Sequence, residues 1–411
     1  MKRIYTSIDV GSDSIKIAVC ELYKNKLNLL AATSVTNNGV KKGLITDVNL
    51  AKNAVKKAID KIENMLGIRI DRAVTTIPSY FAEFLMVNGK ININNDQNVV
   101  TGKEINDVIK SSIRNFNDPT KEMITLLPID FKVDEEVTKD PKGMKGKELS
   151  MRGVLVTTPK KNIYSVVGLL ESLNIEVADI SLGSIGDYAA LKNKDLEQKV
   201  GIIVNIGSEI TTVSLFNKGI IIKNSIIQRG GSNIDSDISY IYKLNQSEAK
   251  DIKENYALAH RNYANNSEFI NIVNRLGDKV QINQRELSDI VYSRLEEMLN
   301  LIKKEINGLA NREIDYIIVT GGTTNIPYFE NIVEPILGKN VKIGEMKIIG
   351  IRNNKYSSCL GNIISFIQKL RLKGKSYTMV EDEDADILSS PRKNNVNETN
   401  IWKALIGFFD E

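Results

Sequence analysis

Two distant segments of the chain are written in the same way. "RIYTSIDVGSDSIKIAVCEL" near the start and "KVGIIVNIGSEITTVSLF", Lys199 to Phe216, each read as a strand rich in Ile and Val, a tight glycine turn and a second apolar strand. A strand–turn–strand that recurs in the two halves of a sequence predicts two related α/β cores facing one another. The turns differ at one place: Asp9 opens the first, and Asn205 stands at the equivalent place in the second.

The flanking elements follow that plan. Residues 4–10, 15–21 and 27–36 read as consecutive strands. "TDVNLAKNAVKKAIDKIENMLG" is a helix with Thr46 or Asp47 as its cap, Leu50, Ala54, Ala58 and Ile62 as one apolar row, and Gly67 as its end. The strand "DRAVTTIP" follows. Residues 83–162 change character. A helix with a Thr101–Glu104 capping box, and two strands around the polar loop "DEEVTKDPKGMKGKELS", predict a small α+β insertion. "NIYSVVGLLESLN" has helical spacing, and "IEVADISL" is a strand.

After the second hairpin the spacing predicts the strand "GIIIKNSII", a mostly helical stretch from about 232 to 310, and a strand–turn–helix, "DYIIVTGGTTNIPYFENIVEPIL". The long helix of that stretch carries Leu287, Ile290, Val291, Leu295, Met298 and Ile302 on one face, read as core packing. From Gly374 the chain is polar and poor in aromatics, which predicts a disordered linker with a solvated acidic run, Glu381 to Asp386. The last residues, "IWKALIGFFDE", predict an amphipathic helix. Ile401, Trp402, Leu405, Ile406 and Phe409 share a face, Phe408 sits at its margin, and Lys403, Asp410 and Glu411 lie opposite. Such a face suits the interface of a bilayer.

Composition excludes several classes. A chain of 411 residues predicts more than one domain, and a formal charge of +4 gives no nucleic-acid signal. Two cysteines, Cys20 and Cys359, in apolar segments argue against a disulfide framework. The start, "MKRIYTSIDV", lacks the apolar core of a signal peptide, and no run of about 18 apolar residues predicts a transmembrane helix. His260 is the sole histidine, which disfavours a His-based triad or a zinc site; it reads as a surface or helix-end residue.

Three glycine turns, at Gly11, at Gly207 and at Gly321 with Gly322, each follow an apolar strand. Glycine lets backbone N–H groups approach an anion closely, so two facing hairpins could clamp a polyphosphate. These segments carry a resemblance. "DVGSDSIK" and "NIGSEITT" resemble the two phosphate loops of the actin, Hsp70 and sugar-kinase superfamily; "RGGSNIDSDI" resembles its glycine segment and "VTGGTTNIP" its adenosine loop. All four occur in the superfamily's order, over residues 4 to about 370. The insertion, the linker with its terminal helix, and "GVKKGLITDVNLAKNAVKKAI" are similar to the FtsA family of bacterial cell-division proteins.

That resemblance implies a two-lobed actin-like α/β fold with duplicated cores, an FtsA-type α+β insertion and a C-terminal amphipathic helix on a disordered linker. The implied division is subdomain 1A at 1–82 with 163–192, 1C at 83–162, 2A at 193–228 with 302–372, 2B at 229–301, the linker at 373–399 and the membrane helix at 400–411. It implies ATP and Mg2+ as ligands. Asp9 matches the aspartate near the magnesium, acting through water with Asn205 nearby; Gly11, Ser12, Asp13 and Ser14 match the first phosphate turn, and Lys16 the lysine that reaches the phosphates. Gly207, Ser208 and Glu209 match the second turn, with Thr211 beside it; Gly230, Gly231 and Asn233 are expected near the ribose, and Lys253 and Glu254 at the sugar or base. Gly321, Gly322 and Thr323 are expected at the adenosine, with Asn325 and Ile326 behind.

At Asn205 the superfamily has an aspartate that helps to hold the metal's water shell, and Ser208 also departs from the pattern. Nucleotide binding with slow or absent hydrolysis is therefore expected. The resemblance further implies actin-like filaments, lipid binding through the terminal helix at the cytoplasmic face of the division site, and docking of the C-terminal peptide of FtsZ on 2B. Arg261, Arg275, Lys279 and Arg285 are candidates for pairing with an acidic peptide. The alternatives are a PilM-like pilus-assembly adaptor, a small-molecule kinase, for which no catalytic base stands out, and an Hsp70-type chaperone, for which the chain after the fold is too short.

Overall fold

The computed structural model describes residues 3–310, 313–348 and 350–381, together with Asp384 and Leu388. The expected membrane helix, with Ile401, Trp402, Leu405, Ile406, Phe408 and Phe409, lies outside the described residues, as does most of the expected linker.

The first lobe opens with β1 (Arg3–Val10), β2 (Ser14–Tyr23) and β3 (Lys26–Thr36), an antiparallel run, then a short ribbon of β4 (Val40–Lys41) and β5 (Leu44–Ile45). Helix α1 (Val48–Leu66) starts where the Asp47 carboxylate accepts the Leu50 N–H at 2.9 Å and stops at Gly67, whose φ of 73° is the left-handed turn glycine adopts freely. Its buried face is Ala51, Ala54, Val55, Ala58, Ile59, Ile62 and Leu66, while Leu50, expected in that row, is exposed. β6 (Arg72–Ile77) then pairs in parallel with β1.

The insertion is β7 (Glu83–Asn92), α2 (Gly102–Ile113), β8 (Lys121–Val133), β9 (Glu136–Thr138) and β10 (Glu148–Pro159), a four-stranded sheet of order β7-β10-β8-β9 with α2 against it. The Thr101–Glu104 capping box forms as expected, and the polar loop contains the short strand β9. α3 (Lys160–Glu171) and β11 (Glu176–Leu182) complete the first lobe, and α4 (Gly183–Leu191) crosses to the second.

The second lobe repeats the plan. β12 (Val200–Ile206), β13 (Thr211–Asn217) and β14 (Ile220–Ile227) form the antiparallel run. α5 (Gly231–Tyr242), α6 (Gln246–Tyr256), β15 (Phe269–Val273), β16 (Lys279–Asn283) and α7 (Gln284–Leu309) follow. β17 (Tyr316–Thr320), α8 (Glu330–Leu337) and β18 (Val341–Ile343) close the sheet, and α9 (Ser357–Leu372) returns. The two sheets have matching orders, β3-β2-β1-β6-β11 and β14-β13-β12-β17-β18, each with three antiparallel strands followed by two parallel additions. That is the duplication visible in the two hairpin segments.

Four expectations need correction. The stretch 232–310 is not simply helical: "FINIV" and "KVQIN" alternate in burial and pair as the ribbon β15–β16. The continuous helix α7 runs through the expected 2B–2A boundary at 301 and 302. The expected division places α9 in the second lobe, yet Cys359, Leu360, Ile363, Phe366 and Ile367 pack with Tyr5, Ala18, Cys20 and Leu22 of the first. The linker begins later than Gly374, because Met379 and Val380 are buried. The Met379 N–H donates to the Ile4 carbonyl at 2.9 Å, and the Thr378 hydroxyl accepts the Ile4 N–H at 3.1 Å, on a part of β1 that β6 does not cover.

Candidate functional site

Strand geometry puts the two turns in equivalent places. In β1–β2, Asp9 lies opposite Lys16; in β12–β13, Asn205 lies opposite Thr212. Each turn is closed by its own glycine, with Gly11 N–H donating to the Ser14 carbonyl at 3.2 Å and Gly207 N–H to the Ile210 carbonyl at 3.0 Å. Among the described residues, the N–H groups of Ser12, Asp13, Ser208 and Glu209 meet no acceptor. Unpaired donors at a strand end are what an anion-binding turn presents.

Lys16 sits on β2, which lies inside the sheet between β1 and β3 rather than at its edge. Its Nζ is 3.0 Å from Asp9 Oδ2, and the other Asp9 oxygen accepts the Thr76 hydroxyl at 2.6 Å. Burial alone would lower the Lys16 pKa, but the Asp9 carboxylate outweighs it and holds the ammonium above its usual value. Ser12 Oγ accepts the Gly43 N–H at 2.8 Å, and Ser14 is buried.

The lobes meet over these turns. Asp13 pairs with Lys250 of α6 at 2.6 Å, and Glu209 takes the Lys42 N–H and lies 3.5 Å from Lys41 Nζ. Burial would raise the Asp13 pKa, yet hydrogen bonding and charge from Lys250 bring it below the ordinary carboxylate value. Lys250 was not singled out from the sequence. Its signal was its place on α6 three residues before Lys253, which puts both ammonium groups on one face.

The other expected residues fall into two groups. Those around the second turn converge. Gly231 and Ser232 N–H groups at the start of α5 donate to the Gly207 and Ser208 carbonyls at 2.9 and 2.8 Å, and the Thr323 hydroxyl donates to the Gly207 carbonyl at 3.0 Å. A Cβ on Gly230 would overlap the Ser208 carbonyl, so this glycine is required by packing of backbone on backbone. Asn233 Oδ1 accepts the Gly230 N–H at 3.0 Å. Lys253 is buried against Asp235 at 2.6 Å and also reaches the Gly231 carbonyl at 3.3 Å. Gly321 and Gly322 lead into the short turn Gly322–Asn325, with Ile326 buried behind and Asn325 bonded to Gly322 and Asn353.

The second group has other employment. Thr211 is buried, its hydroxyl committed to the Arg229 carbonyl at 2.9 Å, and Glu254 is exposed at 3.9 Å from Lys250. Lys355, also unanticipated, stands close enough that burial, then Lys16, depress its pKa.

Asn205 carries the largest surprise. Its Nδ2 donates to Asp187 Oδ2 at 2.8 Å and to Ser358 Oγ at 3.2 Å. Asp187 is fully buried on α4, and burial pushes its carboxyl up to about 6 against the pull of Ser357, Asn205 and Ser358. A lone aspartate in "GSIGDYAAL" looks like a solvated helix position, and only the fold reveals its surroundings.

The four cationic candidates of the expected FtsZ surface fall on different elements. Arg261 lies 3.6 Å from Asp289 and over the Tyr292 ring, Arg275 is in the turn between β15 and β16, Lys279 opens β16, and Arg285 is in the first turn of α7. His260 caps a short turn through Nδ1, which accepts the Asn262 N–H at 3.3 Å, in keeping with its reading as a helix-end residue.

Known proteins match this chain along most of its length. The family model "Cell division protein FtsA" covers residues 202–361, and "SHS2 domain inserted in FTSA" covers residues 83–157. The cell division protein FtsA of Bacillus subtilis (strain 168) is 26% identical over 389 residues, 93% of this chain and 88% of that protein. The FtsA of Streptococcus pneumoniae serotype 2 is 27% identical over 358 residues, 86% of this chain and 78% of that protein. Among solved structures, the PilM–PilN type IV pilus biogenesis complex aligns over 88% of this chain and 98% of that chain, with a TM-score of 0.58 at 11% identity. MreB5 of Spiroplasma citri bound to ADP aligns over 90% and 98%, with a TM-score of 0.55 at 14% identity. At those identities the structures establish the actin-like fold, while the sequence matches establish the lineage. The chain belongs to the FtsA family of actin-like cell-division proteins.

Proposed function

We propose that this chain binds ATP with Mg2+ between its two hairpin turns, polymerises in an actin-like manner, and tethers FtsZ to the cytoplasmic face of the membrane at the division site. The observation that supports it most is the pair of facing turns whose N–H groups at Ser12, Asp13, Ser208 and Glu209 have no acceptor among the described residues, with Lys16 and Lys250 beside them. This donor set fits a polyphosphate: amide dipoles and compact ammonium groups converge, and the glycines keep side chains out of the way.

In this reading the turn N–H groups and Lys16 hold the phosphates. Asp9 and the Asn205 oxygen would hold magnesium through its water shell, and the bound ion would offset the phosphate charge. Lys253 and Asn233 would lie toward the ribose, and Gly322, Thr323 and Ile326 would line the adenosine side. Lys250, paired with Asp13 at 2.6 Å, would be within reach to add a further ammonium for the phosphates. An amide at position 205 contributes no charge, so hydrolysis is slow relative to binding.

The terminal face of Ile401, Trp402, Leu405, Ile406, Phe408 and Phe409 supplies membrane affinity by apolar burial, since one lysine faces two acids. Filament formation multiplies that weak contact. FtsZ docks on the surface formed by α5, α6, the β15–β16 ribbon and the start of α7. Reconstitution on vesicles tests this function. With ATP, the full chain should bring FtsZ to the vesicle pellet, and a chain lacking residues 400–411 should leave it in the supernatant. Equal pelleting by both would contradict the tether.

A further inference from the structure

Behind Asn205 lies a carboxylate to which the nucleotide reading assigns no role. Asp187 is 1% exposed. A charge in such a place costs several kcal/mol unless hydrogen bonds satisfy it. Three donors from two other elements do so. The Ser357 and Ser358 hydroxyls reach Oδ1 at 2.5 and 2.8 Å, and Asn205 Nδ2 reaches Oδ2 at 2.8 Å. Ser357 Oγ in turn accepts the Thr320 hydroxyl at 3.1 Å.

This arrangement fixes which way the Asn205 amide faces. An ionised carboxylate only accepts, so the nitrogen must be the atom turned toward it. Both amide hydrogens are taken, one by Asp187 and one by Ser358 Oγ at 3.2 Å. The oxygen is left on the side of Gly321, where a Cβ would come within 2.5 Å of it and glycine at a φ of 99° leaves room.

We infer that Asp187 is a positioning residue: it holds Asn205 oxygen-outward toward the nucleotide cleft and polarises the amide, so that this oxygen accepts a hydrogen bond from a metal-bound water more strongly than an isolated amide would. Charge donated to one end of a hydrogen-bonded chain strengthens the acceptor at the other. The carboxylate charge is thereby kept near the metal, one residue further back. The inference rests on the proposed binding of ATP with magnesium.

The test is the ATP affinity of the full chain, measured by calorimetry in magnesium and again in EDTA. The ratio of the two dissociation constants reports the metal's contribution. Asp187→Ala should reduce that ratio about tenfold, the usual scale for a residue that orients a metal's ligand, and leave the EDTA affinity within about twofold. Adding Asn205→Ala to Asp187→Ala should cost nothing beyond Asn205→Ala alone, because the two act as one unit. Asp187→Asn keeps the volume and guards against loss of folding; it should lower the ratio several-fold with an unchanged melting temperature. A ratio that stays at the wild-type value in both Asp187 variants overturns the inference. So does an equal loss in magnesium and EDTA together with a lowered melting temperature, the signature of a merely structural role. If the wild type shows no magnesium-dependent ATP binding, the nucleotide reading itself falls.

Discussion

At position 205 the chemistry turns on one atom. An amide and a carboxylate have the same shape, but here the nitrogen donates to Asp187 at 2.8 Å. A carboxylate in that place would face another carboxylate across a buried gap, and like charges at that distance cannot both ionise cheaply. Asn205→Asp alone should therefore lower stability at pH 8 by about 1–3 kcal/mol, read as a shift in denaturant midpoint. The exchanged pair, Asn205→Asp with Asp187→Asn, should restore the midpoint. The same exchange places a charge directly on the cleft side, and phosphate release from ATP should rise at least tenfold over the wild type. Brisk wild-type turnover that the exchange leaves unchanged would contradict the assignment of slow hydrolysis to Asn205.

Elements are where sequence patterns succeed or fail for physical reasons. The hairpins β1–β2 and β12–β13 were legible because apolar runs broken by a glycine turn have few other solutions. The α2 capping box was legible because its two side chains lie three residues apart. Glu104 shows its energetics. Burial would raise its pKa, but the Thr101 hydroxyl, the Asn95 amide and the Thr101 N–H hold it at about 2, below the ordinary 4.5. The stabilisation is thus complete above pH 4.5 and is lost as pH falls through 2. Glu104→Gln should be less stable by about 1 kcal/mol at pH 7, with the gap in urea midpoint closing toward pH 2. The β15–β16 ribbon was missed because the helical pattern on either side masked two five-residue strands. The lobe of α9 was missed because an apolar stripe says that a helix is covered, not what covers it. Its crossing with α4 is close: a Cβ on Gly361 would overlap the Gly186 carbonyl. Gly361→Ala should cost about 3 kcal/mol in an unfolding titration, since neither backbone can yield.

For the whole molecule, the two α/β cores are joined by α4 and α9 and by a shared apolar cluster in which Tyr188 stacks on Phe216 at 4.6 Å. Asp13–Lys250 and Glu209–Lys41 span the cleft above that joint. Which residues face a cleft depends on how two halves dock, and periodicity within one half carries no record of it. For that reason the two turns with Asp9, Lys16 and their glycines were readable as a candidate site, whereas the surroundings of Asp187, Lys250 and Lys355 were not. Calorimetric titration of the full chain with ATP in the presence of magnesium tests the central claim, that the two turns together hold one nucleotide. One site per chain is predicted, with affinity weakened at least tenfold by Lys16→Ala in the first turn and by a Gly207→Val substitution in the second. Wild-type affinity in either variant, or no binding by the wild type, would contradict it.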